Sequence, residues 1–140
     1  NRAWADTWNF RPIPMAALAA DLDGQREGFL LALEKPQERV IAGTVHAIFD
    51  RTAKNPDDGP HAWISNLTVI PTWRGRGLGR ALLAAGLHHL AGRGARSAGL
   101  GVDGGNPVPV SLYRSVGFEV IDTMELWERP ISAPSAGGLA

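Results

Sequence analysis

The sequence predicts an α/β protein with a mixed sheet, in which an antiparallel meander is followed by a parallel βαβ pair. Three observations lead to this prediction. Three extended apolar segments precede the most regular helix, a further short apolar segment follows it, and glycines lie at the junctions. Two strands that are joined by a helix pair in parallel through a right-handed crossover. The predicted order of elements is therefore α-α-β-β-β-α-β-α-β.

The N-terminal half is predicted to contain two short helices and then three strands. Residues 1–10 and 13–21 have helical apolar spacing, and a proline interrupts it between them. A proline-containing turn and a polar loop separate the strands that follow. Glycine inside a strand marks a bulge or a close backbone approach, which we expect at Gly43. The strands are predicted at Gly28–Glu34, Val40–Phe49 and Ala62–Ile70.

The C-terminal half contains the most regular helix, predicted over Leu78–Arg93, where leucines recur at helical spacing and form one apolar stripe. Ser97–Val102 is predicted to be a strand parallel to the third. Asn106 is a good N-cap for a second helix, because Pro107 follows at the first helical position. Phe118–Trp127 is predicted to supply one long or two short final strands.

Composition predicts one globular domain over residues 1–131 and a disordered tail over residues 132–140. The chain has 140 residues, of which 44% are hydrophobic and 20% charged, and its formal net charge is zero. It contains no cysteine, so disulfides and thiolate metal sites are excluded. No apolar run approaches the roughly 20 residues that span a membrane. We expect a cytoplasmic protein with no metal, no nucleic-acid partner and no membrane partner.

The most informative motif is the hexapeptide Arg74-Gly75-Arg76-Gly77-Leu78-Gly79, between the third strand and the main helix. Its glycines let the backbone approach a ligand closely. A helix that starts here presents free N–H groups and the positive end of its dipole, which favour a phosphate, and three neighbouring arginines add positive charge. A tight turn without a ligand is the alternative. Because the chain is neutral overall, a small polyanion fits better than long nucleic acid.

Three glycine-rich patterns compete for this phosphate ligand. The P-loop requires lysine followed by serine or threonine, which the chain lacks. The dinucleotide fingerprint requires G-x-G-x-x-G and an acid about 20 residues later. Here the spacing is G-x-G-x-G and the next acid is Asp103, beyond the following predicted strand. A nicotinamide-dinucleotide protein therefore remains a distant alternative.

The third pattern is R-x-x-G-x-G after a strand that contains Leu-x-Val and then proline, as in Leu67–Gly79. It resembles the coenzyme A pyrophosphate loop of the GNAT superfamily of N-acetyltransferases. A second block, Asn106–Phe118, resembles the later segment of that family, with asparagine seven residues before Tyr113 and then Gly-Phe. The resemblance covers roughly residues 28–129 and implies a GNAT-like fold. The family has a strand before its first helix that this chain lacks.

The resemblance also implies which residues bind the cosubstrate, acetyl-CoA. Backbone groups of the third strand would bond the pantetheine arm like an additional strand, and N–H groups of the glycine-rich turn would hold the pyrophosphate. Asn106 would contact the arm, although helix capping alone explains it equally well. The implied cofactor-binding residues are Leu67, Thr68, Val69, Arg74, Gly75, Arg76, Gly77, Leu78, Gly79, Arg80, Asn106 and Tyr113.

For the catalytic groups, the resemblance implies that Tyr113, the single tyrosine, protonates the departing thiolate. Core packing is its alternative explanation. The general base is less clear, because Trp63 and Ser65 occupy positions that are often acidic in the family. His61, on the same strand face by period two, is the main alternative base, although a solvated loop-end histidine is the more common case. Three acids near the end are further candidates: Glu119, Asp122 and Glu125. His46 is expected on the strand surface.

These inferences predict an N-acetyltransferase in which an amine attacks acetyl-CoA directly. The acceptor would be a small-molecule or peptide amine. Tryptophans near the predicted acceptor regions suggest a partly apolar pocket for it, although core packing is the more common explanation for tryptophan. The alternative is a non-catalytic acyl-CoA-binding lobe. Residues 1–12 resemble the first helix of the C-terminal lobe in tandem-GNAT proteins of the mycothiol synthase kind. We therefore expect a fragment of a longer protein, with a second GNAT lobe or a second copy of the chain as partner.

Overall fold

A three-stranded antiparallel sheet is the centre of the fold. The computed structural model describes residues 26–35, 40–50 and 61–129, together with Pro14, Ala17 and Gln37. The sheet order is β1-β2-β3. The strands are β1 (Phe29–Lys35), β2 (Val40–Phe49) and β3 (Ala62–Val69). All three agree with the predicted strands to within one residue at each end, so this part of the prediction is confirmed.

Two α-helices follow the sheet, α1 (Leu78–Gly92) and α2 (Pro107–Ser115). Gly94 follows α1 with a φ of 93°, and Gly117 follows α2 with a φ of 94°, as helix-ending glycines do. Asn106 is the N-cap of α2, and its side-chain oxygen accepts a hydrogen bond from the N–H of Val108 at 3.3 Å. Both predicted helices and the predicted cap are confirmed.

Helix α1 packs against the face of the sheet formed by alternate residues of β2 and β3. A Cβ on Gly86 would lie 3.0 Å from Ile64 Cδ1 and 3.3 Å from Val45 Cγ2, so glycine allows the helix to lie close to the sheet. Similarly, a Cβ on Gly43 would lie 2.7 Å from the Thr68 carbonyl oxygen, which confirms the expected close approach. The buried hydrophobic cluster consists of Val45, Ala47, Ala62, Ile64, Leu82, Leu83 and Leu90.

The central position of β2 explains one wrong expectation about a histidine. Residues on both faces of this strand are buried, from Ala42 to Ala47. His46 is only 6% exposed, and its ring lies 5.3 Å from that of Phe29 in a tilted arrangement. The expectation that His46 lies on the strand surface is therefore wrong, because β2 has a strand on each side and residues packed on each face.

The predicted fourth strand, Ser97–Val102, is reduced to one parallel bridge between Trp63 and Gly99. The N–H of Gly99 donates to the carbonyl of Ala62 at 2.8 Å, and the N–H of Ile64 donates to the carbonyl of Gly99 at 2.9 Å. The predicted parallel direction is confirmed, but the prediction of a full strand is wrong. The segment is rich in glycine, which packs poorly in strands, and β3 becomes irregular just beyond Ile64.

The prediction of one or two strands over Phe118–Trp127 is also wrong: the structure assigns no strand to these residues. A strand needs a hydrogen-bonded neighbour, and the preceding segment provides only its single bridge to β3. The apolar pattern that favoured a strand is real, yet these side chains are mostly exposed. They are Val120, Ile121, Met124, Leu126 and Trp127.

Several predictions concern residues that lie outside, or almost wholly outside, the described ranges. They are the helices at 1–10 and 13–21, the polar loop at 51–60, the tail at 132–140 and the domain bounds that depend on them. These stay predictions. In the part of the chain that the structure describes, no helix is long and apolar enough to cross a membrane.

Candidate active site

The outer edge of β3 is opened by a bulge at Asn66. This residue has a φ of 50°, and the pairing register between β2 and β3 shifts at this point. The hydroxyl of Thr44 donates to the carbonyl of Asn66 at 2.9 Å and so holds the bulge in place. Because the bridge to Gly99 lies before the bulge, no strand of the described residues pairs with the outer edge of β3 from Leu67 to Val69.

The glycine-rich turn connects the open end of β3 to helix α1. Gly75 and Gly77 have φ values of 71° and 79°, a left-handed conformation that glycine adopts without strain. A Cβ on either residue would meet nothing within 4 Å, so the space above the turn is open. The glycines are thus required by the backbone, and the surface that they form is accessible to a ligand.

The N-terminus of α1 offers its backbone donors to this open space. Gly77 is the N-cap, no side chain caps the helix, and its first turn contains no acidic residue. The N–H of Ala81 donates to the Gly77 carbonyl at 3.0 Å, so the N–H groups before Ala81 have no partner within the helix. The helix dipole makes this end favourable for an anion. The predicted phosphate site therefore has suitable geometry.

The three arginines of the turn have different surroundings. Arg74 donates from Nε to the carbonyl of Val69 at 2.9 Å, which ties the turn to the end of β3. Arg76 lies over the ring of Trp73, with its Cζ 5.2 Å from the ring centroid. Arg80 donates from Nη2 to the hydroxyl of Ser115 at 2.7 Å. Among the described residues, only Arg76 of the three has no hydrogen-bond acceptor.

Tyr113 lies on α2 and packs against the hydrophobic core with part of its side chain. Its ring meets that of Phe118 edge to face, with 5.9 Å between the centroids. Burial removes water from the phenol and raises its pKa above the ordinary value of 10.0. The hydroxyl is therefore protonated at neutral pH, as a proton donor must be.

The proposed base positions lie on one side of β3. His61 directly precedes the strand, is partly buried, and accepts a hydrogen bond at its carbonyl from the N–H of Asp50 at 2.8 Å. Trp63 and Ser65 follow on the same side by alternation, and Trp63 is 43% exposed. Trp63 is thus not a core residue, and neither is Trp127, which is 89% exposed. The alternative acids, Glu119, Asp122 and Glu125, are exposed in the irregular segment after α2.

Three residues of the site were missed by the sequence analysis. Thr44 holds the bulge, the ring of Trp73 lies under the guanidinium of Arg76, and Ser115 accepts a hydrogen bond from Arg80. The spacing of Trp73 and Arg76 within one turn could have suggested their contact. Ser115 and Arg80 are 35 residues apart and Thr44 and Asn66 are 22 apart, so no local pattern indicates either bond.

The chain belongs to the Acetyltransferase (GNAT) family, whose sequence profile matches residues 1–118. The GNAT resemblance drawn from the glycine-rich turn and the Asn106 block is confirmed. Within the described ranges, no group of three or more histidine, cysteine, aspartate or glutamate residues could hold a metal ion.

Curated relatives of the chain are named mycothiol acetyltransferases. The protein from Thermobifida fusca is 38% identical over 105 residues, which cover 75% of this chain and 31% of the relative. The protein from Paenarthrobacter aurescens is 37% identical over 114 residues, which cover 74% and 33% respectively. The chain thus spans about a third of the length of these relatives.

Solved structures show the same fold at lower sequence identity. An acetyltransferase from Trypanosoma brucei has a TM-score of 0.62 and 22% identity, over 85% of this chain and 82% of that chain. The aminoglycoside N-acetyltransferase AAC(6')-Iy, in complex with a bisubstrate analogue of coenzyme A and acetylneamine, has a TM-score of 0.65 and 19% identity, over 92% and 85%. The predicted GNAT-like fold is confirmed.

Proposed function

We propose that this chain transfers an acetyl group from acetyl-CoA to an amine, by direct attack of the amine. One observation supports the cosubstrate above all others. An uncapped helix N-terminus, formed by a glycine turn under open space, follows a strand whose outer edge, beyond the bulge, pairs with no other strand of the described residues. The turn fits a pyrophosphate, and the strand edge fits an amide-containing arm such as pantetheine.

In this proposal, backbone groups bind most of the cosubstrate. Leu67, Thr68 and Val69, at the end of β3 beyond the bulge, are the proposed strand residues for the pantetheine arm. The N–H groups from Gly75 to Arg80 face the pyrophosphate, and Arg76 adds a charge that no protein acceptor engages in the described residues. Arg74 keeps the turn attached to β3. The side-chain oxygen of Asn106 caps α2, so its proposed contact with the arm uses the remaining polar atoms.

The proposed chemistry proceeds through addition and elimination at the thioester carbonyl. The neutral amine forms a C–N bond to the carbonyl carbon, and the carbonyl electrons move to oxygen. When the C=O bond forms again, the C–S bond breaks and the thiolate leaves with its electron pair. The amine loses a proton to a base, and Tyr113 gives a proton to the thiolate. The products are the amide and coenzyme A, and the phenolate regains a proton from solvent.

The environment of Tyr113 supports its role as the acid. Because burial raises its pKa, the phenol stays neutral over the whole range in which an enzyme of this class would work. Because a thiolate whose conjugate acid has a pKa of about 8.5 is a weaker base than phenolate, proton transfer from Tyr113 is uphill by itself, and return of a proton from solvent to the phenolate completes the step. The edge contact with Phe118 restricts the ring, which favours one orientation of the hydroxyl.

His61 is the proposed base, acting through water on the ammonium form of the acceptor. A neutral imidazole has a ring nitrogen that can accept a proton, as a general base must. The proposed acceptor is an amine related to mycothiol, because the curated relatives are named for that compound. A second GNAT lobe is a proposed partner, since the chain covers about a third of those relatives.

Substitution of Tyr113 by phenylalanine tests the proposed acid. We expect Tyr113→Phe to lower kcat by about 10²-fold, because the thiolate would leave unprotonated, and to leave the affinity for acetyl-CoA nearly unchanged. The measurement is release of free thiol in the presence of an amine, with acetyl-CoA affinity determined by calorimetry. Ser111→Ala is the matched control, since it removes an exposed hydroxyl from the same helix. A Tyr113→Phe protein with full turnover would remove Tyr113 from the mechanism.

A further inference from the structure

The hydroxyl of Ser115 links the two helices of the candidate active site. Arg80, in the first turn of α1, donates from Nη2 to Ser115 Oγ at 2.7 Å. The same hydroxyl donates to the carbonyl of Leu112, one turn earlier on α2, at 2.6 Å. Its single proton is therefore used within α2, and its lone pairs accept the guanidinium. In the bond between the helices, Arg80 of α1 is therefore the donor and Ser115 of α2 is the acceptor.

A second contact joins the helices at the same level. A Cβ on Gly79 would lie 3.6 Å from Leu112 Cδ2, an ordinary van der Waals distance, so Leu112 lies close to the start of α1. Leu112 directly precedes Tyr113, and Ser115 lies two residues after it. The two contacts thus lie on either side of Tyr113 along the helix and fix it relative to the glycine-rich turn.

Helix α2 has few other restraints. It is nine residues long, and none of them is fully buried. A helix of this length has little stability of its own and keeps its place through its contacts. The partly buried side chains of Leu112, Tyr113 and Val116 pack against the core. The Arg80 bond adds the directional contact that packing alone lacks, because hydrogen bonds to charged donors have defined geometry.

We propose that Arg80 and Ser115 are positioning residues, which hold the hydroxyl of Tyr113 in register with the cosubstrate bound at the glycine-rich turn. This inference rests on the proposed role of Tyr113 as the general acid. Within the described residues, this hydrogen bond and the Leu112 contact join the start of α1 to the helix that carries the proposed acid. The distance between the turn that would hold the pyrophosphate and Tyr113 therefore depends on them. A displacement of about 1 Å can cost up to 10²-fold in rate.

A direct role of Arg80 in phosphate binding makes a different prediction. Loss of a phosphate contact would raise the KM for acetyl-CoA, whereas loss of positioning would lower kcat. Ser115 separates the two roles, since it is neutral and its hydroxyl proton is already donated to Leu112. Substitutions of Ser115 are therefore the preferred test, and Ser115→Thr keeps the hydroxyl.

The experiment compares Ser115→Ala, Ser115→Thr and the control Ser111→Ala in the wild-type chain and in the Tyr113→Phe chain. We expect Ser115→Ala to lower kcat about tenfold, with the KM for acetyl-CoA changed less than about twofold. Ser115→Thr should restore most of the rate. In the Tyr113→Phe chain, Ser115→Ala should have no further effect, because there is no hydroxyl left to position.

Two outcomes would overturn the positioning role while leaving the proposed function intact. They are an equal loss of kcat in both backgrounds, and a rise in KM alone. A Tyr113→Phe chain with full turnover would overturn both the acid and the positioning role. If Ser115→Ala fails to fold, Ser115→Gly removes the same hydroxyl and enters the same comparison.

A spectroscopic measurement gives a readout that needs no acceptor amine. The chain has one tyrosine, so ultraviolet titration of the phenol reports Tyr113 alone. Release of α2 from α1 should expose the ring to water and move the titration midpoint of Ser115→Ala toward 10.0, the ordinary value. Ser111→Ala should titrate like the wild type. Identical midpoints for Ser115→Ala and the wild type would contradict a positioning role.

Discussion

At the scale of single residues, the three arginines of the glycine-rich turn have different contacts. The guanidinium of Arg74 is bonded to the strand, that of Arg80 to the second helix, and that of Arg76 lies on an indole ring. A basic segment was evident from the sequence. The differences among its arginines depend on residues brought together by the fold, such as Ser115, which is why the sequence could not distinguish them.

The same limit applies to Tyr113. The sequence indicated a role through the resemblance of its block to a family, but it left core packing as an alternative. In the structure the ring packs on Phe118 and the core, while its surroundings raise the pKa of the hydroxyl. Packing and chemistry are thus compatible at this residue and need not be alternatives.

The raised pKa of Tyr113 gives a prediction for alkaline pH. In the folded chain the phenol should titrate above 10.0, and in denaturant it should return to about 10. Since the folded pKa is raised, its contribution to stability is complete below pH 10.0 and is lost as pH rises through the folded value. Ultraviolet titration of native and denatured protein measures both midpoints. A native midpoint at or below the denatured one would show that the ring is solvated.

At the scale of elements, the site is the place where regular structure stops. Strand β3 pairs regularly with β2 up to Ser65 and bulges at Asn66, and no other strand of the described residues pairs with its outer edge between the bulge and the glycine turn. The starts of α1 and α2, the Asn106 cap and the leucine stripe of α1 could be predicted from local sequence, and they agree with the structure. The bulge could not be predicted, because it depends on the hydroxyl of Thr44, 22 residues away in the neighbouring strand.

The glycine turn can be tested with a matched pair of substitutions. Gly77→Glu places a carboxylate at the start of α1 and should abolish acetyl-CoA binding, since it fills the open space and repels phosphate. Gly94→Glu is the control: its φ of 93° resembles the 79° of Gly77, and a Cβ there also meets nothing within 4 Å. Both variants therefore have similar backbone strain, at opposite ends of the helix.

Calorimetric titration of both variants with acetyl-CoA distinguishes strain from ligand recognition. Circular dichroism checks that each variant is folded. Binding that is lost in Gly77→Glu and kept in Gly94→Glu supports the phosphate site at the turn. Equal loss in both variants would assign the effect to strain, and unchanged binding in Gly77→Glu would exclude the turn as the phosphate site.

At the scale of the whole molecule, the sequence predicted the meander, the main helix and the parallel direction of the segment after it. It predicted too many strands after α1. Apolar alternation at Phe118–Trp127 satisfied the local pattern, but strands form only where a neighbour offers its backbone, and the segment around Gly99 offers one bridge. Pairing is a property of the assembled sheet, so patterns within one segment predict it poorly at sheet edges.

The central proposal is that the chain binds acetyl-CoA between the open edge of β3 and the N-terminus of α1. Isothermal titration of the purified chain with acetyl-CoA, with NADH as the control ligand, tests it most directly. The proposal predicts micromolar binding of acetyl-CoA and no binding of NADH. Absence of acetyl-CoA binding, from a chain that circular dichroism shows to be folded, would contradict it, and so would equal binding of both nucleotides.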